Sequence, residues 1–464
     1  MTLRTLHVCF SFPPDPPGGT EIYVASLCRQ LAQQGVAAFV AAPGERDVSY
    51  EVEGIAVRRF QQGRSIRLEE IYSGDPIAAA SFGRLLDGEH VDIVHLHALS
   101  PACSPLLAKE AKRRGLPVVF TYHTPTASCL RGTMLLWGKD PCDGRMDVGR
   151  CTTCCLEGRG AGWMLGRTLA AMPAAGGDWI GRMGRHGKAW TALRMSSLVQ
   201  RQHDSFRTFL ELVDRIVILS PWVESVLARN RVPQVKMVRS AHGIVPDAAA
   251  RRAGRRATDR TRMIHLGRTD PVKGTDLIIK ALRELPDAAI DLDIYGVVQD
   301  KTSGALLDRL RDLAAGDPRI RFLPPLAHKR VLTTLAQYNC LVVPSQWMET
   351  GPLVVLEAFT AGVPVIASAL GGLADKVTDE VDGLLVRPFH EVAAWTAALR
   401  RYSTDKDLAN RLSASVRRPR PLADVAEDMR LVYEALHAGR IQPSVARRLR
   451  SATAAHPLER PHAP

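Results

Sequence analysis

Cys340 to Gly372 reads CLVVPSQWMETGPLVVLEAFTAGVPVIASALGG, and its reading decides the fold. The apolar run Cys340 to Val343 has the character of a buried strand. Pro344 to Gly351 is a loop. Pro352 suits the first position of a helix that runs to about Ala361, and Gly362 suits its stop. Pro364 to Ala367 is a second apolar run, and Gly371-Gly372 closes the unit. Strand, loop, helix and strand make half of a parallel α/β layer. Two carboxylates stand out. Glu349 lies in the loop just before the helix, and Glu357 lies inside it among Val354, Val355, Leu356, Ala358 and Phe359. A lone buried carboxylate is costly unless something hydrogen-bonds to it. Either an Arg or a backbone amide satisfies Glu357 while Glu349 complements the helix dipole, or ligand hydroxyls satisfy Glu357 and an anion such as a phosphate meets the helix N-terminus.

Working outward, a second strand-to-helix junction precedes this stretch. Met263 to Leu266 is apolar and leads into Gly267-Arg268-Thr269-Asp270-Pro271-Val272-Lys273-Gly274, then a helix with Leu277, Ile278, Ala281 and Leu282. Two cations on a glycine-bounded turn can clamp a diphosphate, Arg268 bidentately and Lys273 as a point charge, or can simply be solvated. Further strands are expected at 6–12, 36–42, 91–96, 117–122, 215–219, 235–238, 290–295 and 320–323. The first runs through a Pro/Gly loop to Gly18-Gly19, where a ligand can approach the backbone closely. That loop is not GxGxxG, so no dinucleotide fold is indicated. His97 and His123 stand at strand ends, where open parallel sheets bind ligands.

These elements resemble the retaining GT-B glycosyltransferases of family 4. The resemblance rests on Glu349 and Glu357 as an E-x7-E motif followed by Ala-Phe-x-x-Gly-x-Pro-Val, and on the G-R-x4-K-G turn of Gly267 to Gly274. It implies an α/β GT-B fold of two Rossmann-like domains facing across a cleft. It implies residues 1–245 as the acceptor-side domain, 246–262 as linker, 263–420 as the nucleotide-sugar domain, and 421–439 as a helix returning to the first. It also implies roles: His123 and Glu349 catalytic, and Gly18, Gly19, Arg268, Lys273, Gly351 and Glu357 donor-binding. The expected partners are a nucleoside diphosphate sugar and a sugar or lipid-linked acceptor, in cell-surface glycan or glycolipid synthesis. The family retains anomeric configuration and needs no metal for catalysis. The chain departs from it at Ala241-His242-Gly243-Ile244-Val245, where the family has Asn-Gly-Val/Ile-Asp. Any donor contact borrowed for that turn is therefore in doubt.

Two features lie outside the resemblance. Five of the nine cysteines fall within 129–155, spaced C-x12-C-x8-C-x2-C with Cys155 adjacent. In a cytoplasmic chain that points to metal before disulfides. Cys129, Cys142, Cys151 and Cys154 could close a structural zinc site, hold an iron–sulfur cluster, or stand unligated. Residues 156–210 are expected to be irregular and basic, with Trp163, Met164, Leu165, Trp179 and Met183 interleaved. That composition suits a flap over the acceptor cleft or a peripheral membrane contact.

Lys and Arg number 61 against 48 Asp and Glu, a net charge of +13 that suits anionic partners. The positives are scattered and match no nucleic-acid reader, so no nucleic acid is expected. The N-terminus reads as a first strand and not a signal peptide, and no run of eighteen apolar residues appears, so the expected location is cytoplasmic. Residues 440–464 read as a disordered tail. Two rivals stay open: a sugar-nucleotide epimerase of the same fold, and a non-catalytic nucleic-acid-binding protein.

Overall fold

The computed structural model of the protein describes residues 2–63, 70–183, 187–246 and 259–439. The chain divides into two compact units. The first comprises Met1–Arg131, Asp143–His242 and Leu422–Pro464, and the second comprises Gly132–Cys142 and Gly243–Pro421. Most of the expected linker (247–258) and all of the expected tail (440–464) lie outside the described residues.

The strands, in chain order, begin with β1 (Arg4–Val8), β2 (Ala37–Gly44), β3 (Val48–Val52), β4 (Ile55–Gln61), β5 (Ile93–Leu96) and β6 (Val118–Thr121). Two very short strands follow, β7 (Leu135–Leu136) and β8 (Asp140–Pro141), paired antiparallel within the second unit. Then come β9 (Arg215–Ile218) and β10 (Met237–Arg239). The first unit's sheet has the order β10-β9-β6-β5-β1-β2-β4-β3. All its pairs are parallel except β3 with β4. The middle strands β5 and β6 are buried along their whole length, as helix-covered parallel strands must be. Val94 and Leu96 of β5 and Val118 and Phe120 of β6 join Leu6, Phe60, Phe82 and Phe209 in one core.

The second unit holds β11 (Thr261–Arg268), β12 (Ile290–Val297), β13 (Ile320–Leu323), β14 (Cys340–Val343), β15 (Val365–Ser368) and β16 (Gly383–Val386). They form a wholly parallel sheet in the order β13-β12-β11-β14-β15-β16. The order reverses between β11 and β14. In the first unit it reverses between β1 and β5. At such switch points the loops leaving neighbouring strands part to opposite faces and open a crevice.

Three expectations need correction. Residues 156–210 are not irregular. They contain the helices Trp163–Ala170, Ala174–Arg182, Lys188–Leu193 and Met195–Leu212. The last buries Leu198, Val199, Phe206 and Phe209, a helical spacing hidden by its polar neighbours. Second, the whole insertion does not belong to the first unit. Gly132–Cys142 groups with the second, where the Thr133 carbonyl accepts from the Met348 N–H at 2.9 Å. Third, β1 ends at Val8 and not at Phe12; the Cys9 N–H still reaches the Ala41 carbonyl at 3.0 Å before the chain leaves the ladder.

Candidate active site

In the second unit the sequence-predicted residues gather at the β11/β14 switch point. The turn after β11 carries Arg268 and Lys273. The loop after β14 carries Glu349 and Gly351. The helix Leu353–Thr360 begins directly after Pro352 and carries Glu357. Two glycines let these loops meet. Gly274 has φ +65°, and a Cβ there would lie 2.1 Å from the Pro344 carbonyl oxygen. Gly372 donates its N–H to the Glu349 carbonyl at 2.6 Å, and a Cβ there would lie 2.7 Å from the same oxygen.

Glu349 is buried, and its Oε1 accepts from Lys273 Nζ at 2.7 Å and from Ser345 Oγ at 2.6 Å. Burial alone would raise its pKa, but the Lys273 charge and the hydrogen bonds from Lys273 and Ser345 outweigh it and hold the carboxyl below its usual range. Lys273 Nζ also lies 5.3 Å from the centre of the Trp347 ring. The cation read as a diphosphate clamp is thus also the counter-ion of Glu349. Arg268 is more open, with Gln299 Oε1 at 3.3 Å and Asp270 Oδ2 at 3.8 Å.

Glu357 differs from Glu349. Its side chain is 12% exposed, and His328 Nδ1 lies 3.7 Å from its Oε1. Burial pushes its carboxyl up to about 7. A buried carboxyl whose pKa is raised by burial, at a switch-point crevice, is a functional-site signal with a physical cause.

Sequence reasoning missed Ser345, Trp347 and His265. His265 is buried, with Nδ1 on the Val342 carbonyl of β14 at 2.9 Å and Nε2 on Thr275 Oγ1 at 3.1 Å. It therefore ties β11, β14 and the start of the helix Thr275–Arg283 together behind Lys273. A polar residue inside an apolar strand was the available signal.

The first unit gathers Gly18, Gly19 and His123 separately. Gly18 precedes the helix Gly19–Gln33, and its N–H is spent on Glu21 Oε2 at 2.8 Å. His123 follows β6 and is buried in a line of imidazoles. His7 Nδ1 meets His97 Nε2 at 3.0 Å, and His97 Nδ1 meets His123 Nε2 at 3.0 Å. His242, at the turn where the chain departs from the family, stacks on His123 with ring centres 5.6 Å apart.

The predicted zinc ligands are not gathered as spacing suggested. Among the described residues, the one group of three or more His, Cys, Asp or Glu with ligand atoms all within 4.8 Å is His7, His95 and His97. Cys151 and Cys154 lie within a continuous helix, Val148–Glu157, rather than a knuckle, and Cys142 falls in the second unit while Cys129, Cys151 and Cys154 fall in the first. The site that draws sulfurs together is instead around Cys155, whose thiol is pushed up to about 12 by burial and by Cys129, Cys154 and Cys151.

Two α/β units, with an Arg, a Lys and a pair of carboxylates at the switch point of the second, make the class of a protein that binds an anionic, nucleotide-like ligand at the strand ends. The comparisons narrow that class. Residues 247–418 match the family described as glycosyl transferases group 1, and residues 17–142 match glycosyltransferase family 4. D-inositol 3-phosphate glycosyltransferase of Salinispora arenicola is 28% identical over 420 residues, covering 86% of this chain and 83% of its own. The enzyme of the same name from Nocardia farcinica is 35% identical over 209 residues, 43% of this chain and 42% of its own. Among solved structures, sucrose-phosphate synthase of Thermosynechococcus elongatus superposes with a TM-score of 0.63 at 20% identity, over 94% of this chain and all of that one. HepE of Anabaena, in complex with UDP and glucose, gives 0.60 at 12% identity, over 93% of this chain and all of that one. The chain belongs to the group 1 glycosyltransferases of GT-B fold and uses a nucleotide-sugar donor.

Proposed function

We propose that the enzyme transfers a sugar from a nucleoside diphosphate sugar to an acceptor hydroxyl with retention of anomeric configuration, in cell-surface glycan or glycolipid synthesis. The Lys273–Glu349 pair carries this reading, because it holds a cation and a carboxylate together beside a helix N-terminus. Arg268, Lys273 and the helix amides meet the charge that develops on the leaving diphosphate. Glu349 accepts from hydroxyls of the sugar, and Glu357 accepts from the ribose. His123 is read as a contact to the transferred sugar. Thermal unfolding with UDP, GDP and ADP tests the donor site. A ligand at about a hundred times its dissociation constant adds about 2.7 kcal/mol. A shift with one nucleotide supports the reading and names the base, and no shift with any overturns it. The anomeric proton of the product, read by NMR, decides between retention and inversion. Release of an altered nucleotide sugar without acceptor would favour the epimerase.

No metal step is needed in this scheme, so turnover is expected to survive EDTA. A structural zinc on Cys129, Cys142, Cys151 and Cys154 requires a convergence of sulfurs different from the one described above; metal analysis finding one zinc per chain would restore it.

The acceptor is read as lipid-linked, met at a membrane surface. Trp163, Met164 and Leu165 on one helix, and Trp179 and Met183 at the next, are exposed. The Arg167 guanidinium lies 4.8 Å from the Trp163 ring centre. Indole and methionine beside cations suit the boundary between headgroups and acyl chains. No helix among the described residues is long and apolar enough to cross a membrane. Co-sedimentation with phosphatidylglycerol vesicles but not phosphatidylcholine vesicles is expected, and its loss in the double variant W163S/L165S. The curated relatives are named for D-inositol 3-phosphate, which makes that compound the first soluble acceptor to try.

A further inference from the structure

We propose that Trp347 is a positioning residue for Glu349: its indole N–H is a reserve donor that closes on the Glu349 carboxylate when an arriving diphosphate draws Lys273 away. This rests on the reading of Lys273 as a diphosphate clamp.

Trp347 lies two residues before Glu349 in the loop after β14, and its side chain is buried. Its Nε1 is buried with it and, among the described residues, has no hydrogen-bond partner. A buried N–H without a partner forfeits its hydration and gains nothing in return, and such a group calls for an explanation. Phenylalanine would fill much the same space without that cost. The indole is set against both members of the ion pair. Lys273 Nζ lies 5.3 Å from the ring centre, a cation over an aromatic face. Against burial, which raises the Glu349 pKa, Trp347 acts behind Lys273 and Ser345 to lower it. The N–H dipole therefore faces the carboxyl without closing a hydrogen bond on it. The loop is pinned on either side of Trp347. The Gln346 N–H donates to the Val272 carbonyl at 2.6 Å, and the Met348 N–H to the Thr133 carbonyl at 2.9 Å. With the backbone fixed there, a tilt of the side chain is all that closure requires.

Lys273 has two anions to serve. Its Nζ lies 2.7 Å from Glu349 Oε1, the oxygen that also accepts from Ser345 Oγ at 2.6 Å. A lysine is a point charge on a flexible stem, so it can swing from a carboxylate to a more highly charged diphosphate. Glu349 then stays buried and loses the charge that kept it ionised. A buried carboxylate in that position favours its protonated form, which is a poorer acceptor for sugar hydroxyls. The Trp347 N–H supplies the missing donor from within the same loop. Ser345 Oγ can stay in place throughout, so the carboxylate keeps its orientation as one donor replaces another.

The chain has seven tryptophans, and their indole ¹H–¹⁵N signals in a TROSY spectrum of the intact enzyme test the proposal. UDP, GDP and ADP are the probes, with calorimetry showing which of them binds. The Trp347 signal, assigned by its loss in Trp347→Phe, should move downfield on addition of that nucleotide. In Lys273→Met it should sit downfield with no nucleotide present. If a nucleotide binds and none of the seven signals moves downfield, the proposal is overturned, with or without the assignment, and the donor site stands. If none of the three binds, the donor-site reading fails and the proposal falls with it. Trp347→Phe gives a second readout. Its unfolding temperature without ligand should equal or exceed that of the wild type, because the lost N–H had no partner. Its affinity for the nucleotide should fall about tenfold, the worth of one hydrogen bond to a charged group. A tryptophan that serves packing alone would do the reverse, lowering the unfolding temperature and leaving nucleotide affinity as it was.

Discussion

At the scale of the residue, Glu349 and Glu357 have opposite electrostatic situations. Lys273 compensates Glu349, and among the described residues no Lys or Arg is paired with Glu357. Lys273→Ala leaves Glu349 buried with its counter-charge removed, and breaking such a pair costs about 3–5 kcal/mol. The double variant K273A/E349Q should regain much of that stability while remaining inactive, which chemical denaturation and an activity assay read separately. For Glu357 the sign follows from its raised pKa. The unfolded carboxyl loses its proton near 4.5 and the folded one near 7. Between those values the folded state holds one more proton, so stability falls as pH rises from 4.5 to 7. Glu357→Gln should remove that slope, worth about 3 kcal/mol over the window. Nucleotide affinity in the wild type should rise from pH 6 to pH 8, since two ribose hydroxyls need the ionised carboxylate. Calorimetric titration at both values checks it.

At the scale of the element, the parallel strands and the switch-point loops were legible because they are written in apolar runs that end in glycine and proline. The helix after Pro352 ends at Thr360, with Gly362 at φ +73°, as the capping pattern predicts. What the pattern could not show is contact between distant segments. Lys273 and Glu349 are 76 positions apart, and their spacing says nothing of the ion pair. His7, His95, His97 and His123 look like isolated polar residues until β1, β5 and β6 lie side by side. For the cysteines, C-x2-C is equally a helical i, i+3 pair, and the helix Val148–Glu157 holds Cys151 and Cys154 at that spacing. The antiparallel hairpin of β3 and β4 was missed since its outer strand is mostly exposed. Gly372 was legible as a turn, but not as the residue that seats Glu349. Gly372→Ala places a methyl against the Glu349 carbonyl. It should lower kcat/KM by about a hundredfold, the scale of a misplacement near 1 Å, while circular dichroism remains native.

At the scale of the whole molecule, the chain does not fold in the order in which it is written. The helix Leu422–His437 follows the entire second unit in sequence, yet it belongs to the first. It buries Leu422, Val425, Ala426, Met429, Val432 and Tyr433 there. Tyr433 closes on His95, and Asp428 Oδ2 accepts from Ser240 Oγ at 2.7 Å beneath the turn that leaves the first unit. Each large apolar side chain is worth about 1.5–3 kcal/mol on burial, and a domain's net stability is only about 5–15 kcal/mol. Truncation after Pro421 should therefore unfold the first unit and spare the second, whose cores lie within its own sheet. Limited proteolysis of the truncated chain should cut throughout residues 2–131 and 143–242 and leave a fragment of 259–421 intact. That fragment holds Arg268, Lys273, Glu349 and Glu357, so it should still bind the nucleotide that shifts the intact enzyme. Protection of the first unit in the truncated chain would mean that its sheet and remaining helices suffice, and that the returning helix serves only its contacts to His95 and Ser240.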